Sequence, residues 1–328
     1  MWLEESKNWS VEHYKLRAYT EGWVDVSRLV QPWTGGPDGS IVGFPPTPAG
    51  WLQNRHCLAS SATLQFALEV PSCGGGARFA GNKPHWEGKM RLEIVTHCWN
   101  YSRLLTYQLS SLVLYPPSQL SVRMTVFHNH EDARTSKVLG FFGGIAVPNV
   151  EWHWWQVQKG LLFRRAIGRN MAALESRADW VWFTDCDQVF HKTCLDALPD
   201  QLAEQTAHLV FPKYVACSEH LDMESPLIQA TSGPPRVIDI NPAEFTLKLQ
   251  DRAIGALQIA RGETVRATGY CKDIPRFMRP ASRFHRTRED VAFRRFMGTP
   301  GEPIDLPGLY RIEHRPKGRR WFWPATDL

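Results

Sequence analysis

Two aspartates one residue apart, Asp185-Cys186-Asp187, follow an aromatic and apolar run that contains Trp180, Trp182 and Phe183. Such a run reads as a buried strand, and the carboxylates would then stand at its mouth. Burying two acids side by side is costly unless a cation neutralises them. At the edge of a sheet that cation would be Mg²⁺ or Mn²⁺, shared with phosphate oxygens. An ordinary acidic turn after a strand is the alternative. Arg165 and Arg169 lie one helical turn apart, on one face, upstream of the acidic pair. They could hold a diphosphate or carboxylates through bidentate contacts. A second carboxylate pair, Glu289-Asp290, opens the segment EDVAFRRF, where acids also serve as helix-terminal groups. His314 stands near the end of the chain, and Lys317, Arg319 and Arg320 follow it closely. These cations could neutralise a leaving diphosphate.

The elements that must position these groups are regular from Met90 onward. RLEIVTH reads as a buried strand, and SRLLTYQLSSLVLY as a helix ended by Pro116-Pro117. SVRMTVFHN and NVEWHWW read as two further strands. GLLFRRAIGRNMAALES reads as one amphipathic helix with Phe163, Ile167, Met171 and Leu174 on its apolar side. DWVWFTDCD is a fourth strand and HLVFPKYVAC a fifth. Strands alternating with helices predict a largely parallel α/β sheet covered on both faces, with ligands beyond the carboxyl ends of the strands. Residues 1–88 differ: they hold six of the 14 tryptophans among Gly/Pro-rich turns, and are expected to form an extension to a domain at 89–328. Trp152, Trp154 and Trp155 could stack on a sugar or base, or fill a buried strand.

Composition narrows the class. With 328 residues, 43% hydrophobic and 22% charged, the chain can build a large core. It has no apolar run of the roughly 20 residues that span a bilayer. The polar start MWLEESKNWS is unlike a secretory signal, so a cytoplasmic protein is expected. The seven cysteines are odd in number and lack CxxC spacing, which argues against a disulfide framework or zinc module. The formal net charge is +5, yet Tyr270–Leu328 carries 13 Lys/Arg against 7 Asp/Glu. The excess positive charge therefore lies wholly in that last segment, as expected for an anionic ligand such as a diphosphate or nucleic acid.

In order along the chain, IVTHCWNYS, TVFHNHED, RRAIGRN, WFTDCD, GYCKDIPRF, RTREDVAFRRF and LYRIEH resemble the motif series of GT-A-fold glycosyltransferases, especially those like family 2. The resemblance covers residues 90 to about 320. It implies a GT-A (Rossmann-like), mostly parallel α/β sheet and transfer of a sugar from a nucleotide-diphosphate donor to a hydroxyl. By resemblance Thr96, His97 and Tyr101 would line the nucleotide pocket, and Asp132 would meet the base or ribose, with Glu131 competing for that role. Asp187 would ligate the metal directly. Asp185 would touch the ribose or a metal-bound water, and His314 would be a further ligand. Asp290 would be the base of an inverting reaction, and Glu289 would position the acceptor. Cys186 departs from the small residue usual at the centre of the acidic motif.

The resemblance further implies Mn²⁺ or Mg²⁺ and a donor of the nucleotide-sugar class, a UDP-sugar first among them. The acceptor stays open among a glycan, a lipid, a peptide and a hydroxylated base in DNA. A nucleotidyltransferase is the competing enzyme class, although IVTHCWNYS has none of the glycines of a phosphate loop.

Overall fold

A computed structural model describes residues 2–4, 15–18, 22–25, 88–284 and 287–314. The chain divides into two units, Met1–Val70 and Pro71–Leu328. In the first, β1 (Trp2–Glu4), β2 (Lys15–Ala18) and β3 (Gly22–Asp25) pair as an antiparallel meander. The rest of the Trp-rich extension up to residue 87 lies outside the described residues.

The second unit begins with β4 (Met90–His97), whose last six residues are all buried, as a strand covered on both faces requires. It leads through α1 (Ser102–Leu114) to β5 (Leu120–His128), α2 (Ala133–Gly143) and β6 (Val150–Gln156). Next come α3 (Lys159–Leu162), α4 (Arg165–Glu175), β7 (Trp180–Phe183) and β8 (Gln188–Phe190). The chain continues through α5 (Leu198–Leu202), β9 (Leu209–Pro212), β10 (Tyr214–Cys217), α6 (Pro226–Gln229) and β11 (Thr246–Leu249). It closes with β12 (Gln258–Arg261), α7 (Gly262–Thr268), α8 (Glu289–Phe296), β13 (Glu302–Ile304) and β14 (Leu309–Arg311). Seven strands form the central sheet in the order β13-β9-β12-β7-β4-β5-β6. Only β12 runs antiparallel to its neighbours, so the expected mixed α/β, mostly parallel architecture is present. A smaller sheet, β11-β10-β14-β8, carries the strand that leads out of the acidic motif. Among the described residues, no helix is long and apolar enough to cross a membrane.

Three expectations need correction. The segment HLVFPKYVAC is not one strand: β9 belongs to the central sheet and β10 to the smaller one. Lys213 is the crossing point, since its N–H donates to Ile304 O at 2.8 Å while its carbonyl accepts from Gln250 N at 2.8 Å. The helix expected over 160–176 is broken at Arg164, whose backbone (φ −114°, ψ 81°) is non-helical. There Phe163 turns toward Trp99 and Phe284, with ring centroids 5.3 and 4.9 Å away, and the Arg164 Nε donates to Arg279 O. The apolar face assigned to that helix is also displaced. Leu174 is 45% exposed, whereas Ala166, Gly168, Arg169, Ala172 and Ala173 are buried.

Small residues win this face because α4 lies hard against the sheet. A Cβ on Gly168 would stand 2.2 Å from His97 Nε2 and 3.1 Å from Phe127 Cγ. A second helix, α7, enters through an equally close approach: a Cβ on Gly262 would stand 2.0 Å from the backbone oxygen of Ala178. Backbone cannot yield as a side chain can. Gly262→Ala should therefore destabilise the protein by about 1–3 kcal/mol despite alanine's better helix propensity. Thermal or urea unfolding checks this, and an unchanged midpoint would contradict the packing described.

Candidate functional site

The acidic motif lies in the loop between β7 and β8, beyond the carboxyl end of β7 in the central sheet. Four strand neighbours fix its height: β7 pairs with β4 from Leu92↔Trp180 to Val95↔Phe183, and Thr184 N continues the ladder to Val95 O at 2.9 Å. This register sets Thr96 and His97 beside Thr184 and Asp185.

Arg165 and Arg169, on the inward face of α4, both reach Asp185 Oδ1, at 2.8 and 3.3 Å. Arg165 also pairs with Glu289 at 3.1 Å. One guanidinium thus joins the acidic loop to the first turn of α8, more than a hundred residues later. Arg169 is 0% exposed and reaches four partners. Its Nη1 donates to the Tyr270 hydroxyl at 2.9 Å, and its Nη2 to Gly255 O at 2.7 Å as well as to Thr184 O and Asp185. The Tyr270 hydroxyl in turn donates to Gln258 Oε1 at 2.8 Å, and Gln258 Nε2 donates to Asp290 O at 3.1 Å. Beneath the site, a continuous polar chain therefore runs from the acidic motif to the second carboxylate pair.

Charge states follow from these neighbours. Burial pushes the Asp185 carboxyl up, but Arg165, Arg169 and Arg311 outweigh it and hold the group at about 2. Glu289, 1% exposed, is likewise pushed up by burial and brought below its ordinary value by Arg165, Arg169 and the Thr287 hydroxyl. Both are anions whose attachments are fixed. Burial and the charges of Arg169 and Arg165 drive His97 well below the ordinary imidazole value, so it is neutral. Among the described residues, neither ring nitrogen of His97 nor Thr96 Oγ1 has a hydrogen-bond partner. Buried polar atoms left so are uncommon; the His97 Nε2 faces α4 at Gly168, and its ring stacks on Phe127 at 4.8 Å.

Other expected residues lie as follows. Tyr101 precedes α1, and its ring stands 5.1 Å from that of His314. The two share a small cavity of about 20 Å³ with Leu104, Asp222 and Ile228. Asp132 caps α2 and accepts from Thr135 N, Thr135 Oγ1 and Asn100 N at 3.1, 2.6 and 2.6 Å. Its carboxylate therefore holds the loop after β4 in place. Glu131 is exposed and pairs with Lys159 at 2.7 Å. Trp152 and Trp154 stack on the edge strand β6, while Trp155 stacks on Phe127 inside it. Arg320, with Lys317 and Arg319, lies outside the described residues. The Cys186 thiol is buried, and a hydrogen bond with Cys98 together with burial raises it well above the ordinary thiol value, so it stays protonated.

Asp187 is buried and bonded at 3.1 Å to Arg311 Nε, with Gln188 Nε2 at 3.3 Å from its other oxygen. Among the described residues, no three His, Cys, Asp or Glu side chains gather as a metal centre. Asp185 Oδ2, however, accepts no hydrogen bond among the described residues. Two neighbouring carboxylates with spare oxygen capacity suit a hard cation that completes its shell with substrate phosphates and water rather than with a protein cage.

Arg311, Tyr270 and Gln258 are site residues to which the sequence reading assigns no role, although Tyr270 lies within GYCKDIPRF and Arg311 within LYRIEH. Gln258 carries one signal, a polar side chain that opens the strand and precedes the apolar Ile259 and Ala260. Arg311 carries none, since its meaning depends on β14 pairing with β8, Arg311↔Gln188.

No family model matches the sequence, and no curated protein matches it. Among solved structures, S. aureus TarS 1–349 is similar at a TM-score of 0.40 and 13% identity, covering 70% of this chain and 59% of that one. TarS 1–349 in complex with UDP-GlcNAc gives 0.43 and 13%, covering 70% and 60%. The complex with UDP gives 0.40 and 12%, covering 70% and 59%. The chain thus spans about three fifths of the length of these structures.

The ion pairs have an acid signature. A carboxyl held at about 2 when folded and near 3.9 when unfolded stabilises the protein fully above about pH 4 and loses that contribution as the pH falls toward 2. Asp185→Asn should therefore lower the melting temperature at neutral pH, and the gap to the wild type should close between about pH 4 and 2. A gap constant across that window would contradict the pairing.

Proposed function

We propose that residues 89–328 form a nucleotide-sugar-dependent glycosyltransferase domain that moves a sugar from a UDP-sugar to an acceptor hydroxyl, with inversion. The observation that carries this reading is the Arg165 bridge between Asp185 and Glu289. It brings the acidic loop, the arginine helix and the second carboxylate pair into one site, as a donor diphosphate and an acceptor base require.

Within that site the two adjacent acids of α8 take different parts. Glu289 is buried and held by Arg165 and Thr287, so it is fixed as an anion and orients the groups around it. Asp290 is half-buried, in the first turn of α8, and its backbone is held by Gln258. Gly255 leaves space beside it: a Cβ there would stand 3.5 Å from Asp290 Oδ2. Asp290 is the base that takes the acceptor proton as the acceptor oxygen bonds to the anomeric carbon. The bond from that carbon to the donor's diphosphate breaks, and the electron pair leaves with the phosphate oxygen. Thr96 and His97, at the carboxyl end of β4, would line the nucleoside pocket. Asp187 and Asp185 would hold Mn²⁺ or Mg²⁺, which when bound would neutralise charge on the diphosphate; His314, expected as a further ligand, does not gather with them among the described residues.

Labelled UDP-sugars and nucleoside triphosphates, each with Mn²⁺, separate this reading from nucleotidyl transfer. Turnover of a UDP-sugar is expected, and Asp290→Asn should lower transfer about 10²–10⁴-fold while the protein stays folded. Turnover of triphosphates alone, or full transfer by Asp290→Asn, would overturn it.

A further inference from the structure

The chain reaches Asp290 through a loop of unusual charge. Residues 272–288 hold six Lys/Arg (Lys272, Arg276, Arg279, Arg283, Arg286 and Arg288) against the single acid Asp273, a net of +5 that equals the charge of the whole chain. Of the described members, Lys272, Arg276, Arg279, Arg283 and Arg288 are all exposed. The loop is also tied to the body. Phe277 is buried, Ala281 N donates to Gly160 O at 2.9 Å, and Arg164 Nε donates to Arg279 O at 3.1 Å. Over residues 272–284 a tied backbone therefore displays Lys272, Arg276, Arg279 and Arg283. It ends at Arg288, whose left-handed backbone (φ 55°) turns the chain into α8.

A base must touch the hydroxyl that it deprotonates, so the surface leading to Asp290 is a surface that the acceptor crosses. Five exposed cations on the loop that runs into α8 are suited to a repeated anion rather than to one carboxylate. Beside the loop stand aromatic rings: Phe284 packs on Phe163, Phe163 on half-buried Trp99, and Lys159 lies 4.6 Å from the Trp99 ring centroid. These rings brace the loop, and exposed basic side chains set along a braced backbone are the feature that follows the phosphates of a single strand.

We infer that the acceptor is a nucleic acid strand whose phosphates are held by the 272–288 loop while the modified residue reaches Asp290. This rests on the transferase reading and adds the acceptor class to it. Cationic contacts release counterions from the strand, so binding must weaken steeply with salt. A base that receives a sugar must leave its stack to reach the carboxylate.

The test uses the full chain, a fluorescently labelled single-stranded oligonucleotide of about 20 nucleotides, and a triple variant, Lys272→Gln/Arg279→Gln/Arg283→Gln. Anisotropy at several salt concentrations reads binding without any donor, and UDP-sugar hydrolysis is measured separately. The wild type should bind. Removing three phosphate contacts should reduce the slope of log affinity against log salt by about 2, a loss of about 100-fold at 0.1 M salt. Donor hydrolysis by the variant should equal that of the wild type, which also shows that the variant folds. No oligonucleotide binding by the wild type, unchanged binding by the variant, or equal competition by polyglutamate would overturn the inference. Absence of donor turnover in both proteins would instead overturn the transferase reading beneath it, and binding is read independently of that outcome.

Discussion

A buried guanidinium must meet carboxylates or carbonyls in fixed geometry, and Arg169 imposes that condition on the site, with half-buried Arg165 beside it. Arg169 is enclosed, so the Tyr270 hydroxyl, Gly255 O and Asp185 must stand where its donors point. Arg165 demands Asp185 on one side and Glu289 on the other. Removing the partners of the enclosed Arg169 would leave an uncompensated buried charge, which costs about 3–5 kcal/mol, whereas the pairs of half-buried Arg165 are screened by solvent and cost less. The positions of the loop after β7, the start of α8 and the segment at Tyr270 are therefore interdependent. Gly168 belongs to the same condition, because only a residue without Cβ lets α4 approach His97 and Phe127 closely enough for both arginines to reach inward.

Environment then separates residues that are alike in sequence. Glu289 and Asp290 are neighbours, yet the first is enclosed by cations and the second stands half-buried beside Gly255. The two acids of the β7–β8 loop differ similarly, Asp185 answering to α4 and Asp187 to Arg311 on β14. Through Asp187 the smaller sheet is coupled to the central one, since Ile312 N also donates to the Asp187 carbonyl at 2.9 Å. Positive charge is divided in this arrangement: cations of α4 fix anionic side chains, while Lys272, Arg276, Arg279, Arg283 and Arg288 are exposed.

Much of the central sheet was legible, because buried parallel strands are continuous apolar runs and their ends are marked by polar residues. The strands at 90–97, 120–128 and 150–156 lie close to where RLEIVTH, SVRMTVFHN and NVEWHWW place them. Helix α2 went unread because its glycines, Gly140 and Gly143, obscure the periodicity and its start depends on the Asp132 cap. The face of α4 was misassigned for a related reason: hydrophobicity selects Leu174, whereas close packing selects glycine and alanine, and electrostatics buries an arginine. The motifs single out Asp185, Arg165, Arg169 and Glu289 one by one, and the fold joins them through ion pairs that local spacing does not show. Arg311 and Gln258 enter through strand pairings made at long range, and local pattern holds no record of those.

The central claim is that the acidic loop, the arginine helix and the start of α8 form one donor-and-base site beneath unpaired polar atoms of β4. An experimental structure with UDP and Mn²⁺ bound tests it most directly. The account expects the nucleoside against Thr96 and His97, the diphosphate beside Asp185 and Asp187, and Asp290 facing the space beyond the terminal phosphate. Nucleotide bound elsewhere on the chain, with the Arg165–Asp185–Glu289 bridge undisturbed and no ligand above it, would contradict it.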